Sequence, residues 1–142
     1  MTAVNPPAAP NVLIAEGDPW VRDMLAQMVL SVRCDAQVKV CANGNEALEG
    51  LSAKPDLIIA ARELPGLDGL ELLRKVRSRA RTPALPFLLI SSRSDVASVR
   101  EALPLAPTAY LTKPLNLDSL RHRLEEQLLK ACLLYTSPSP RD

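Results

Sequence analysis

A doubly wound α/β fold, five parallel strands with helices packed on both faces, is predicted for this 142-residue chain by three observations. Apolar runs of strand length recur along it, most without the alternation of a half-exposed strand. The stretches between these runs carry apolar residues at helical spacing. The composition, 47% hydrophobic and 23% charged, is that of an ordinary globular domain and argues against disorder.

The elements follow in order. Val12-Leu13-Ile14-Ala15 reads as the first strand. A helix comes next, with Asp18 as its N-cap, Pro19 at its first position and Val21, Met24, Leu25, Met28 and Val29 on its apolar face. Val38-Lys39-Val40-Cys41 is the second strand, and residues 46–51 form the next helix. Leu57-Ile58-Ile59-Ala60 is the third strand and 70–79 its helix; Phe87-Leu88-Leu89-Ile90 and 96–103 are the fourth pair. Pro83, Pro86, Pro104 and Pro107 fix the loops that lead into the last two strands. Ala109-Tyr110-Leu111 is the fifth strand, and 117–129 closes the domain with Leu117, Leu120, Leu124 and Leu128 on one stripe. Such alternation implies right-handed crossovers and functional loops at the carboxyl ends of the strands.

Residues 1–10 are expected to be a flexible leader and 11–131 the domain. The last segment, 132–142, reads as the translation of a sequencing adapter and is excluded from fold reasoning, which leaves room for a longer natural chain. A net charge of +1 gives no electrostatic case for nucleic acid or an anionic membrane as partner. No apolar run approaches the ~20 residues of a membrane span. The Pro-rich start lacks the features of a signal peptide, so a cytoplasmic location is expected. Cys34 and Cys41 lack metal-ligand spacing. Arg74, Lys75, Arg77, Arg79 and Arg81 read as a solvated helix face, and His122 as a surface residue. The glycines never fall in a phosphate-loop pattern.

Four separated segments carry a more specific signal. They are Val12-Leu13-Ile14-Ala15-Glu16-Gly17-Asp18-Pro19; the stretch from Asp56 to Gly69, which includes Ala61-Arg62-Glu63 and Leu64-Pro65-Gly66; Pro86 to Ser92, with Ser91 at a strand end; and Ala109-Tyr110-Leu111-Thr112-Lys113-Pro114. In order and spacing they resemble the receiver domains of two-component response regulators, over residues 11–129. The resemblance implies the flavodoxin-like receiver fold and a signalling role in a phosphorelay rather than an enzyme. In that family clustered carboxylates hold magnesium while an Asp at the end of the third strand accepts a phosphoryl group.

Set against that pattern, Ala61 stands at the phosphoacceptor position and Gly17 at a metal-ligating acidic position. An alanine offers no nucleophilic oxygen, so aspartyl-phosphate chemistry is not expected there. Glu16, Asp18 and Glu63 remain as acidic residues, enough for at most a weak magnesium site. The alternative is that Glu16 pairs with Lys113 while Asp18 only caps the first helix. Ser91 matches the family's hydroxyl that turns toward the phosphoryl group, Tyr110 its switch aromatic and Lys113 its phosphoryl-contacting lysine. The expectation is a phosphorylation-independent pseudo-receiver that needs no cofactor. It would meet a regulatory protein or output domain through the face around Tyr110 and the last two helices, without touching membrane or nucleic acid. Two other readings stay open: a phosphorelay receiver with Glu63 or Ser91 as acceptor, and a sensor whose vestigial pocket, with Lys113 and Ser91, binds an anion or metabolite.

Overall fold

A computed structural model of the chain describes residues 9–79 and 84–129. Its five strands are β1 (Asn11–Ala15), β2 (Gln37–Cys41), β3 (Leu57–Ala61), β4 (Phe87–Ser91) and β5 (Ala109–Thr112). All pair in parallel, in the order β2-β1-β3-β4-β5. The register sets Ala15 beside Ala60, Ala61 beside Ile90 and Ser91 beside Thr112, so the carboxyl ends of the four inner and neighbouring strands finish nearly level.

Every residue of β3 and β4 is buried, which is why these runs show no polar alternation. The pleat sends alternate side chains to opposite faces, giving two cores. One face carries Leu13, Ile58, Phe87 and Leu89 against α2 (Gly44–Gly50) and α3 (Gly69–Ser78). The other carries Ile14, Leu57, Ile59 and Leu88 against Leu25 and Val29 of α1 (Pro19–Val32) and Leu120, Leu124 and Leu128 of α5 (Leu117–Leu128).

Each of the five helices, including α4 (Val96–Ala102), starts at an Asp or Asn whose side chain accepts a backbone N–H of its first turn: Asp18, Asn43, Asp68, Asp95 and Asn116. Capped by Asn43, α2 starts at Gly44, two residues before the expected 46, and Glu46 accepts the Ala42 N–H at 3.0 Å from inside the same turn. Gly44 is there for space: a Cβ would stand 1.6 Å from the carbonyl oxygen of Leu67, so α2 begins in direct backbone contact with the β3–α3 loop. Trp20, in the first turn of α1, is 81% exposed.

Pro10, placed with the leader by the sequence reading, is buried and its carbonyl accepts the Gln37 N–H at 2.8 Å. Residues 1–8, the 132–142 tail, Arg81 and Pro83 lie outside the described residues. The expectation of a solvated basic face on α3 needs correction at Arg77. Its guanidinium donates to the carbonyls of Leu105 (2.9 Å), Leu85 (2.6 Å) and Ala106 (2.8 Å). Arg77 therefore clamps the segment before β4 to the 3-10 turn Leu103–Leu105, satisfying carbonyls that the turns leave unpaired.

Candidate functional site

The carboxyl ends of the strands gather the residues singled out above. Glu16 follows β1, Ala61 closes β3, Ser91 closes β4 and Lys113 follows β5. Backbone bonds prolong the sheet past these ends: Glu16 N–H donates to Cys41 at 3.0 Å, Arg62 N–H to Ile90 at 2.6 Å and Lys113 N–H to Ser91 at 2.8 Å. The Lys113–Pro114 peptide is cis.

Lys113 Nζ lies 3.1 Å from Glu16 Oε1, with the glutamate side chain only 3% exposed and the lysine 28%. Oε1 receives no well-aligned hydrogen bond, so the contact is held by charge rather than by donor direction. The second oxygen, Oε2, accepts the Asp18 N–H at 2.9 Å, and Arg22 donates to the Glu16 carbonyl at 2.9 Å. The Asp18 carboxylate accepts the Trp20 N–H at 2.9 Å as the cap of α1. Gly17 has an ordinary backbone and open surroundings, since a Cβ there would find nothing nearer than Pro65 Cδ at 3.6 Å.

Ala61 is buried, its methyl among the apolar residues of the α2 and α3 face. Its carbonyl oxygen is approached so closely by Gly69 that a Cβ on that glycine would lie 2.2 Å away. The loop of residues 62–68 from β3 to α3 therefore closes back on the strand end only with glycine at position 69, and within it Arg62 and Glu63 bond to β4 and the residue after it.

Glu63 spans the gap to the end of β4. Its Oε2 accepts the Ser91 hydroxyl at 2.7 Å and its Oε1 accepts the Ser92 N–H at 3.1 Å. Ser91, fully buried, accepts the Arg93 N–H at 2.9 Å in turn. Partial burial pushes the Glu63 carboxyl up, but the bonds from Ser91 and Ser92 and the nearby Lys113 charge outweigh it and hold the group below the usual carboxylate range. A depressed pKa means that the ionised form is bound best in the folded state, so its stabilisation is present at neutral pH and fades as pH falls through the depressed value. Glu63→Gln is accordingly expected to lower the melting temperature at neutral pH. The gap to wild type should close in acid. Because Glu63 is exposed, screening keeps the effect below about 1 kcal/mol. Calorimetric melts across the acidic range check this, and a gap independent of pH would count against it.

Arg62 is the residue that sequence reading missed. Only 7% exposed, its guanidinium donates to the Ser98 carbonyl at 2.7 Å, pairs with Glu101 and comes within 3.5 Å of the Tyr110 hydroxyl. Tyr110, half-buried, donates that hydroxyl to the Arg93 carbonyl at 2.7 Å. A cation directly after a fully apolar strand was the available signal, because a guanidinium placed there must find acceptors.

The family model of the response regulator receiver domain matches residues 12–125. The chain belongs to that family. It is 34% identical over 108 residues to the transcriptional regulatory protein AfsQ1 of Streptomyces coelicolor, covering 75% of this chain and 46% of that protein. Over 77 residues it is 36% identical to the DNA-binding transcriptional regulator NtrC of Salmonella typhimurium, covering 54% of this chain and 16% of NtrC. The chain thus spans less than half the length of these curated relatives. The crystal structure of a signal receiver domain of a histidine kinase from Syntrophus aciditrophicus matches with a TM-score of 0.77 at 26% identity, covering 94% of this chain and 98% of that one. The strand order is that of the receiver fold, and a receiver domain is a signalling domain rather than an enzyme. Among the described residues no helix is long and apolar enough to cross a membrane.

Magnesium, which the family resemblance implies, does not fit the side chains of this receiver domain. One oxygen of Glu16 faces Lys113 and the other holds the Asp18 N–H, both Glu63 oxygens hold β4 donors, and Gly17 supplies no ligand. A hard cation needs convergent oxygens free to turn toward it. Among the described residues no three His, Cys, Asp or Glu side chains are placed to share a metal ion.

Proposed function

We propose that this receiver domain signals without being phosphorylated. It presents one standing surface, around Tyr110, α4 and α5, to a regulatory protein or an output domain. The observation that carries the reading is the methyl group of Ala61 at the end of β3, where a receiver phosphorylated in the usual way has a carboxylate. Two further features support it. Lys113 already has an anion in Glu16, so it has no need of a phosphoryl group to balance its charge. Both oxygens of Glu63 tie down Ser91 and Ser92, which leaves neither Glu63 nor Ser91 free as a substitute acceptor. The same occupancy disfavours an anion or metabolite in the pocket. A magnesium requirement and a nucleic-acid contact form no part of the proposal, and a cytoplasmic setting suits it.

The test is a pair of amide spectra of the isotope-labelled protein, with and without beryllofluoride plus magnesium as phosphoryl analogue. Signals of Ser91 to Thr112 are expected to stay where they are. Analogue-dependent movement at Tyr110 and through α4 would overturn the proposal. Glu16→Ala, by contrast, is expected to shift the signals flanking Lys113, because it removes the lysine's ion-pair partner.

A further inference from the structure

The α4 segment is weakly anchored by apolar packing. It has seven residues, too few for a helix to stand alone in water, and buries only Ser98 and Ala102. Val96, its first residue, and Leu103, the residue after its end, are 64% and 58% exposed. Ser98 spends its hydroxyl on Asp95 within the first turn. Beyond the small methyl of Ala102 in the core, the segment is tied to the sheet by polar contacts, and two of its carbonyl and carboxylate acceptors, at Ser98 and Glu101, are taken by one side chain, the guanidinium of Arg62. One nitrogen, Nη1, donates to the Ser98 carbonyl in the middle of α4 and lies beside the Tyr110 hydroxyl on β5; the other, Nη2, takes Glu101 near the helix end. Tyr110 then closes the circuit by donating to Arg93 in the loop before α4. Charge-assisted bonds made by a planar fork are both stronger and more directional than neutral ones.

We propose that Arg62 is the positioning residue for this face: a buried strut that fixes the angle of α4 and the setting of Tyr110 from the end of β3. Its consequence for signalling rests on the reading above, that α4 and Tyr110 meet the partner. The strut itself does not, and the test separates the two, since a phosphoryl response in the wild type would leave the strut's own measurement intact.

Hydrogen exchange on the full chain reads the strut directly, comparing wild type with Arg62→Met and with the double variant Glu101→Gln/Tyr110→Phe. Arg62→Met is expected to speed exchange of the 98–103 amides at least about tenfold, while amides of β1 and β3 change less than about twofold. The double variant trims the strut's partners at partly exposed sites and is expected to reproduce the pattern at about threefold. The Tyr110 ring signals of Arg62→Met are expected to broaden or move. Unchanged exchange in 98–103, or equal acceleration throughout the molecule, overturns the strut. If Arg62→Met does not fold, the double variant decides alone by the same criterion.

Discussion

Incubation with a small-molecule phosphodonor and magnesium is expected to leave the purified protein at its unmodified mass. The reaction requires a carboxylate oxygen to attack in line and a metal ion to neutralise the transferring group. Ala61 supplies no oxygen, and Gly17 no ligand. A stoichiometric, hydroxylamine-labile gain of one phosphate would falsify the reading at once. The double variant Gly17→Asp/Ala61→Asp carries the expectation further. A Cβ at Gly17 would meet only ordinary van der Waals distances, and β1 and β3 are neighbours, so the variant supplies its two carboxylates at adjacent strand ends. Magnesium binding should then be measurable by titration calorimetry. No heat of binding in that variant would mean that the Glu16–Lys113 pair keeps the site closed even when the ligands are supplied.

The second large effect concerns stability. Gly44→Ala is expected to cost about 3 kcal/mol, the upper end for overpacking, because its Cβ would meet the Leu67 carbonyl oxygen at 1.6 Å and no flexible side chain can move aside. For a domain of this size the melting temperature should fall by about 10 °C. Gly17→Ala is the control. Its Cβ meets only ordinary van der Waals distances, so the change should stay within about 0.5 kcal/mol. Equal melting of Gly44→Ala and wild type would show that α2 does not approach the β3–α3 loop this closely in solution.

The strands were legible because burial on both faces of a parallel sheet forces unbroken apolar runs, and Leu57 to Ala60 and Phe87 to Ile90 contain nothing else. The start of α1 was legible because Asp18 and Pro19 mark it chemically. The start of α2 was not, since Asn43-Gly44 reads equally well as a turn until the cap bond to Glu46 is seen. Four of the site residues could be gathered at one sheet edge from strand order alone, yet their partners could not. That Glu63 serves Ser91 and Ser92, that Arg62 reaches Ser98 and Glu101, and that Arg77 collects three carbonyls all depend on how loops distant in sequence happen to present polar atoms. Periodicity reports which face is buried, not which acceptor waits inside.

Trp20 is the only tryptophan of the chain, and it projects into water from the first turn of α1. Its indole is solvated in the native state and in the unfolded one, so its fluorescence colour should barely change on melting, and intrinsic emission is a poor thermometer for this protein. As a proximity reporter the same residue is well placed. Its backbone is bonded to Asp18, two residues from Glu16, so an ion or a polypeptide arriving at the β1–α1 loop comes to the same short stretch of chain that carries the fluorophore. An unlabelled sample therefore carries its own optical probe for the arrival of a ligand at that corner, and the engineered aspartates at positions 17 and 61 would give it something to report.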